Sequence, residues 1–440
     1  MGGRVVYNLS MLNVAQKIEH LKKLGFTGDL SEVVKFYAGE KFNQNDANVQ
    51  KLVATSAKLW REYSALLKQV AVAEPTAKPA LTAKLNRLLD IAFPGKHGVF
   101  VNLCDGFYST IGAVDFAEGN MCSINTNVQF GKYTRATMGT YNLIGEDVRI
   151  GATLDTKVQP NAKVTLGDDT WLCASVVIGA GATVTPGTVV GLGACVQPNQ
   201  TTQGNALVLG NPATTKFIIT DDYASKKNNL TGRSIEEINY IIYHLRGLGL
   251  PVDEAYLNAL EGKDYNCLSS AFAQIVDFSH QRSYEFNHSN TTGERRREIL
   301  KMLFPLCGRN FQVGRGLFVD VLGLARIGNN VQIGDNAFFA GNLTVGDDVR
   351  AGNNLVVAGI GHELPAKLRH LREFQGVTGE VCVIGNSSIA DRCVLGNQVT
   401  LAPGCKLTQN VLDNTYVVGN NQCFKKVQPE QLKDDFVLTR

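Results

Sequence analysis

Residues 166–196 read LGDDTWLCASVVIGAGATVTPGTVVGLGACV, and an aliphatic side chain stands at every sixth position: Leu166, Leu172, Ile178, Val184, Val190 and Val196. Neither the 3.6-residue period of a helix nor the alternation of a single strand fits that spacing. A six-residue period belongs to a parallel β-helix, in which each side of a coil contributes one inward aliphatic and successive coils stack these residues. Gly167, Cys173, Gly179 and Gly191 follow the aliphatic in four sextets. A small residue there is expected to let the backbone turn through about a third of a circle, so that the coils build a triangular prism. The stretch Leu172–Val196 is uncharged over a membrane-span length. Pro186, Gln197 and the repeated Thr would be costly in lipid, so the prediction is a soluble prism and no membrane partner.

The period returns at Ile327, Ile333, Phe339, Val345, Ala351 and Val357, and again at Ile389, Leu395, Leu401 and Leu407. A longer repeat frames both series. His20-Leu21-Lys22-Lys23-Leu24-Gly25 matches His244-Leu245-Arg246-Gly247-Leu248-Gly249, and Leu209-Gly210-Asn211-Pro212 matches Val418-Gly419-Asn420-Asn421. Each half therefore runs from helical segments through a β-helix to a turn and a capping strand, as a tandem duplication. Helical periodicity marks Val49–Val70, Ala83–Phe93, Ile235–Leu245, Leu268–Phe286 and Glu294–Phe304. The expected organisation is a helical region over 1–98, a first β-helix over 99–217, a polar linker and second helical region over 218–305, and a second β-helix over 306–440.

Composition narrows the classes of function. The 440 residues are 44% hydrophobic and 19% charged, as in a folded soluble protein, and the net charge of +3 gives no basis for a nucleic-acid or membrane-surface partner. Arg295-Arg296-Arg297 backs onto Ile299, Leu300 and Leu303, which makes it a solvated helix face. The ten Cys form no CxxC pair and no zinc-ligand spacing, so they are expected as small buried fillers in a reducing compartment. The first twenty residues lack the apolar core of a signal peptide, and the expected location is cytoplasmic. The stretch Thr170–Thr215 contains no Asp, Glu, Lys or Arg before Lys216, so outward faces of the first prism call for burial against another prism.

Gly262-Lys263-Asp264-Tyr265-Asn266, then Tyr284-Glu285-Phe286-Asn287-His288-Ser289, then Glu294-Arg295 running to Leu303-Phe304 and on into hexapeptide coils, resembles the maltose and galactoside O-acetyltransferases in order and spacing. The first half is similar through Gly39-Glu40-Lys41-Phe42-Asn43 and Trp60-Arg61-Glu62-Tyr63. The resemblance implies an all-β core of two left-handed parallel β-helices, each preceded by short α-helical segments. It also implies a homotrimer that moves acetyl from acetyl-CoA to a hydroxyl of a small, sugar-like acceptor, with no metal. A sugar hydroxyl needs a base effective near neutral pH, and imidazole is the side chain suited to that. The family's histidine lies seventeen residues beyond the apolar residue of a preceding sextet. Counting from Val345 reaches His362, where the six-residue rhythm breaks into an expected irregular loop over 359–380. His370 is expected to be a loop residue only, and a zinc site of the carbonic-anhydrase kind lacks a third coil histidine.

By the same resemblance Glu373 orients the imidazole, and Asn342 serves as the oxyanion or acceptor amide or else stacks in a polar ladder at a coil corner. Trp171 stands at the family's tryptophan place, and Lys425 and Lys426 supply charge for the coenzyme A phosphates. In the first half the count from Ile144 ends on Asn161, which accepts no proton at neutral pH, so that half is expected to lack the base. Its Trp171 and the second half's His362 are complementary features, consistent with a composite site. Two other functions remain open from sequence: a non-catalytic β-helix scaffold, and acylation of an amine on an amino sugar.

Overall fold

The computed structural model describes residues 12–345 apart from 96–97, 119, 153–160, 221–232, 262 and 267–268, and beyond 345 it describes residues 353 and 412 and the strand residues named below. The chain divides into two compact units, residues 1–223 with 364–366, and the remainder.

The first unit opens with four helices: α1 (Val14–Lys23), α2 (Ser31–Ala38), α3 (Ala47–Val72) and α4 (Lys78–Ala92). Asn13 and Gln16 cap α1 reciprocally, and Asp46 accepts from the Asn48 and Val49 amides to start α3. The coils follow in three parallel sheets. One holds 98–103, 120–124, 143–144, 171–172, 189–190 and 206–209; the second holds 129–130, 149–152, 177–179 and 195–196; the third holds 114–116, 136–138, 164–166 and 183–184. The chain visits the sheets in rotation. Val189 pairs with Trp171 and with Leu207, eighteen residues to either side, which is three sextets per coil. All six aliphatics from Leu166 to Val196 are buried, each contributing ~1.5–3 kcal/mol by leaving water. Thr214–Ile218 pairs antiparallel with Ala206–Leu209 and closes the stack.

The corner is turned two residues later than the small residue suggests. Asp169, Ser175, Gly181, Gly187, Gly193 and Asn199, again six apart, all have φ between 53° and 74°. This left-handed region favours Gly and tolerates Asn and Asp. The small residue after the aliphatic answers a different constraint: a Cβ on Gly179 would lie 2.3 Å from Pro198 N, and one on Gly167 2.6 Å from Pro186 N. At these two glycines neighbouring coils approach too closely for a side chain.

The second unit repeats this plan with α5 (Ile235–Gly247), α6 (Glu254–Glu261), α7 (Ser270–Asn287) and α8 (Gly293–Leu303). Its parallel sheets hold 306–307, 325–327, 342–345 and 376–377; then 312–313, 332–333, 350–351, 381–383, 399–401 and 415–418; then 318–319, 338–340, 355–358, 387–389 and 405–407. Gln422–Lys425 closes the second of these antiparallel.

The likeness of the units extends to individual hydrogen bonds between helix and coil. The Tyr37 hydroxyl donates to Ile111 O at 2.7 Å, and that of Tyr256 to Leu322 O at 2.9 Å. The Ser56 hydroxyl donates to Leu52 O and accepts from the Ile111 amide; that of Ser279 donates to Ile275 O and accepts from the Leu322 amide. His20 Nε2 meets Ile91 O at 3.0 Å, and His244 Nε2 meets Met302 O at 3.1 Å. Such bonds satisfy backbone groups that would otherwise be buried unpaired beneath the helices.

Candidate active site

Each unit has one large departure from the eighteen-residue coil among the described residues. In the first, Leu143 pairs with Trp171 twenty-eight residues on; in the second, Leu355 pairs with Ser387 thirty-two residues on. The break in the second unit carries His362.

The segment expected as an irregular loop contains strands. Ile360–His362 pairs antiparallel with Leu371–Phe374, and the latter pairs on its other edge with Asp264–Asn266. The motif ahead of α7 is thus built into the insertion as the third strand of a small sheet. Register sets His362 across from Arg372, and Glu373 between Gly361 and Asp264. Directly after this sheet the chain re-enters the coil with Gly376 paired to Asn342. Backbone pairing therefore gathers the strands bearing His362, Glu373 and Asn342 at one place on the second unit. It does not gather the remaining candidates. Trp171 lies half-buried on the strand Trp171–Leu172 of the first unit, and Lys425 is on the closing strand, opposite Thr415. Lys426 and His370 lie outside the described residues.

In the first unit, Asn161 occupies the position reached by the histidine count, and it is buried as a tether. Its Nδ2 donates to Glu40 O at 2.8 Å, and its own carbonyl accepts from Arg135 Nε at 3.2 Å. Nearby, Lys17 Nζ and Asp115 Oδ1 form a buried ion pair at 2.8 Å. Burial pulls the Arg135 guanidinium and the Lys163 ammonium below their usual range, with Asp115 opposing. The Asn161 side chain at this place serves packing.

A second imidazole in the second unit escaped the sequence reading. His280 on α7 meets Asp320 Oδ1 at 3.1 Å through Nε2, and its ring lies 4.6 Å from that of Phe318. Asp320 falls outside every sextet and forty residues from His280, so no local pattern announced the pair. Among the described residues no group of three or more metal-ligating side chains converges, and no helix is long and apolar enough to cross a membrane.

Three-sided coils of six-residue period, with a helical segment hydrogen-bonded onto their first turns, give each unit a hexapeptide-repeat fold. No family model matches it. It is similar to the galactoside O-acetyltransferase of Escherichia coli (strain K12), at 28% identity over 160 residues, an alignment that takes in 30% of this chain and 76% of that protein. The motif resemblance and this relative agree. Among solved structures, a maltose O-acetyltransferase from Clostridium difficile 630 aligns at 22% identity and a TM-score of 0.38, over 40% of this chain and 100% of that one. A galactoside acetyltransferase in complex with coenzyme A aligns at 20% and 0.36, over 42% and 96%.

Proposed function

We propose that the chain is an acetyl-CoA-dependent O-acetyltransferase acting on a small, sugar-like hydroxyl acceptor. In this reading it comprises two left-handed β-helices in tandem, with the chemistry in the second. The observation that carries the reading is the small antiparallel sheet that interrupts the second unit's coils, because it brings the backbone of His362, Glu373 and Asn342 to one place. Relatedness to a galactoside O-acetyltransferase supports the reaction class.

His362 takes the proton of the acceptor hydroxyl as its oxygen attacks the thioester carbonyl carbon. A C–O bond forms, the C–S bond breaks, and the proton passes to the departing thiolate, leaving an acetate ester and the free thiol. The resemblance assigns Glu373 to orient the imidazole, although the register pairs His362 with Arg372 and so puts Glu373 on the alternate face; the Asn342 amide donates to the oxygen that gains charge. Trp171, Lys425 and Lys426 are assigned to the acetyl donor, Trp171 by apolar contact and the two lysines by charge. Asn161 leaves the first half without a base. The chain assembles as a trimer through its uncharged faces.

The test is thiol release from acetyl-CoA by the full chain with a panel of neutral sugars and amino sugars. Hydroxylamine-labile products identify esters. Amide products only, or no thiol release with any acceptor, would replace this reading with amine acylation or with a scaffold.

A further inference from the structure

The first unit contains a cleft of about 780 Å³ between α3 and the strands Gln129–Phe130 and Arg149–Ala152. That volume lies within the range of small-molecule sites. Val53, Ala57 and Ile150 give it an apolar wall, and Lys132 and Arg149 stand in its lining. Among the described residues no carboxylate, imidazole or thiol lines it. Arg149 donates from Nη1 to Asn127 O at 2.6 Å, and Asp147 is engaged by Asn127 Nδ2 at 2.5 Å. The Lys132 ammonium has no ion-pair partner among the described residues. Tyr108 also lines the cleft.

Two cations and an apolar wall suit a ligand with an anionic end and a compact organic body. Among the described residues of the lining none accepts a proton, so these residues serve binding. We propose that the first unit holds a non-catalytic site for a small organic anion, a phosphate ester or carboxylate of hexose size, contacted by Lys132, Arg149 and Tyr108. The site is independent of the transfer reaction assigned to the second unit, so failure of either leaves the other standing.

Calorimetric titration of the full chain with glucose 6-phosphate and gluconate, against neutral glucose, tests it. At least one anion should bind saturably and glucose should not. The double variant Lys132→Gln/Arg149→Gln should weaken that binding at least tenfold. Ala54→Trp, an exposed position on α3 that lines the cleft, should do the same by filling it, with an unchanged circular-dichroism spectrum. No saturation by either anion at millimolar concentration, equal binding of glucose, or affinity retained in Ala54→Trp would overturn the proposal.

Discussion

Asn161 and Gly179 show two ways in which a single residue of a repeat is constrained. Asn161 stands where a base would, yet its amide is consumed in holding the Glu40 carbonyl. Asn161→Ala should therefore destabilise the protein by ~1–3 kcal/mol, the cost of a buried group left unpaired, and leave acetyl-transfer kcat unchanged; chemical denaturation beside a turnover assay checks both. Gly179 is excluded from bearing a side chain by Pro198 N in the next coil. Gly179→Ala should cost ~1–3 kcal/mol through overpacking. Gly247, with nothing within 4 Å of a Cβ, should tolerate Ala or gain ~0.5–1 kcal/mol from helix propensity. Equal effects of the two substitutions would remove the close-approach argument. The aliphatic ladder was legible residue by residue because every coil repeats it. The contact that empties the neighbouring position was not, because it is made nineteen residues away in the next coil.

At the level of elements, the helices with long apolar stripes, α3, α4, α5, α7 and α8, were legible within a few residues of their ends. The short helices α1, α2 and α6 were not, since two or three turns give too few repeats of a 3.6-residue pattern to register. The strands inside the insertion escaped for another reason: Asp264–Asn266 pairs with residues more than a hundred positions away, and no local period encodes such a partner. Asp264→Pro, which removes a backbone donor from the central pairing, should lower turnover by more than tenfold while shifting Tm by only a few degrees. Loss of the whole fold instead would make this strand part of the core. Glu285 on α7 gives a pH prediction. Burial raises its pKa, but the guanidinium groups of Arg295 and Arg282 outweigh this and hold the carboxyl below its usual value of 4.5. Its contribution is thus present above that value and lost as pH falls through the lowered one. Arg295→Gln should raise the midpoint of acid unfolding, which far-ultraviolet circular dichroism against pH measures.

For the whole molecule, duplication is written in matched helix-to-coil bonds as well as in matched sequence, yet the two halves differ at the counted position: the insertion of the second bears His362, and the first bears Asn161, whose amide holds the Glu40 carbonyl. The residues between Thr170 and Thr215 keep Trp171, Cys173, Val177 and Cys195 half-exposed on an uncharged surface. Light scattering at micromolar concentration should accordingly give about three times 47.7 kDa; a monomer would remove the case for burial between prisms. The central claim is that His362 is the base for acetyl transfer. Thiol release from acetyl-CoA with the best acceptor, compared between wild type and His362→Ala with matched circular-dichroism spectra, tests it most directly. The account predicts a fall in kcat of ~10²–10⁴-fold. A variant that keeps a near-wild-type kcat with the same acceptor would contradict it.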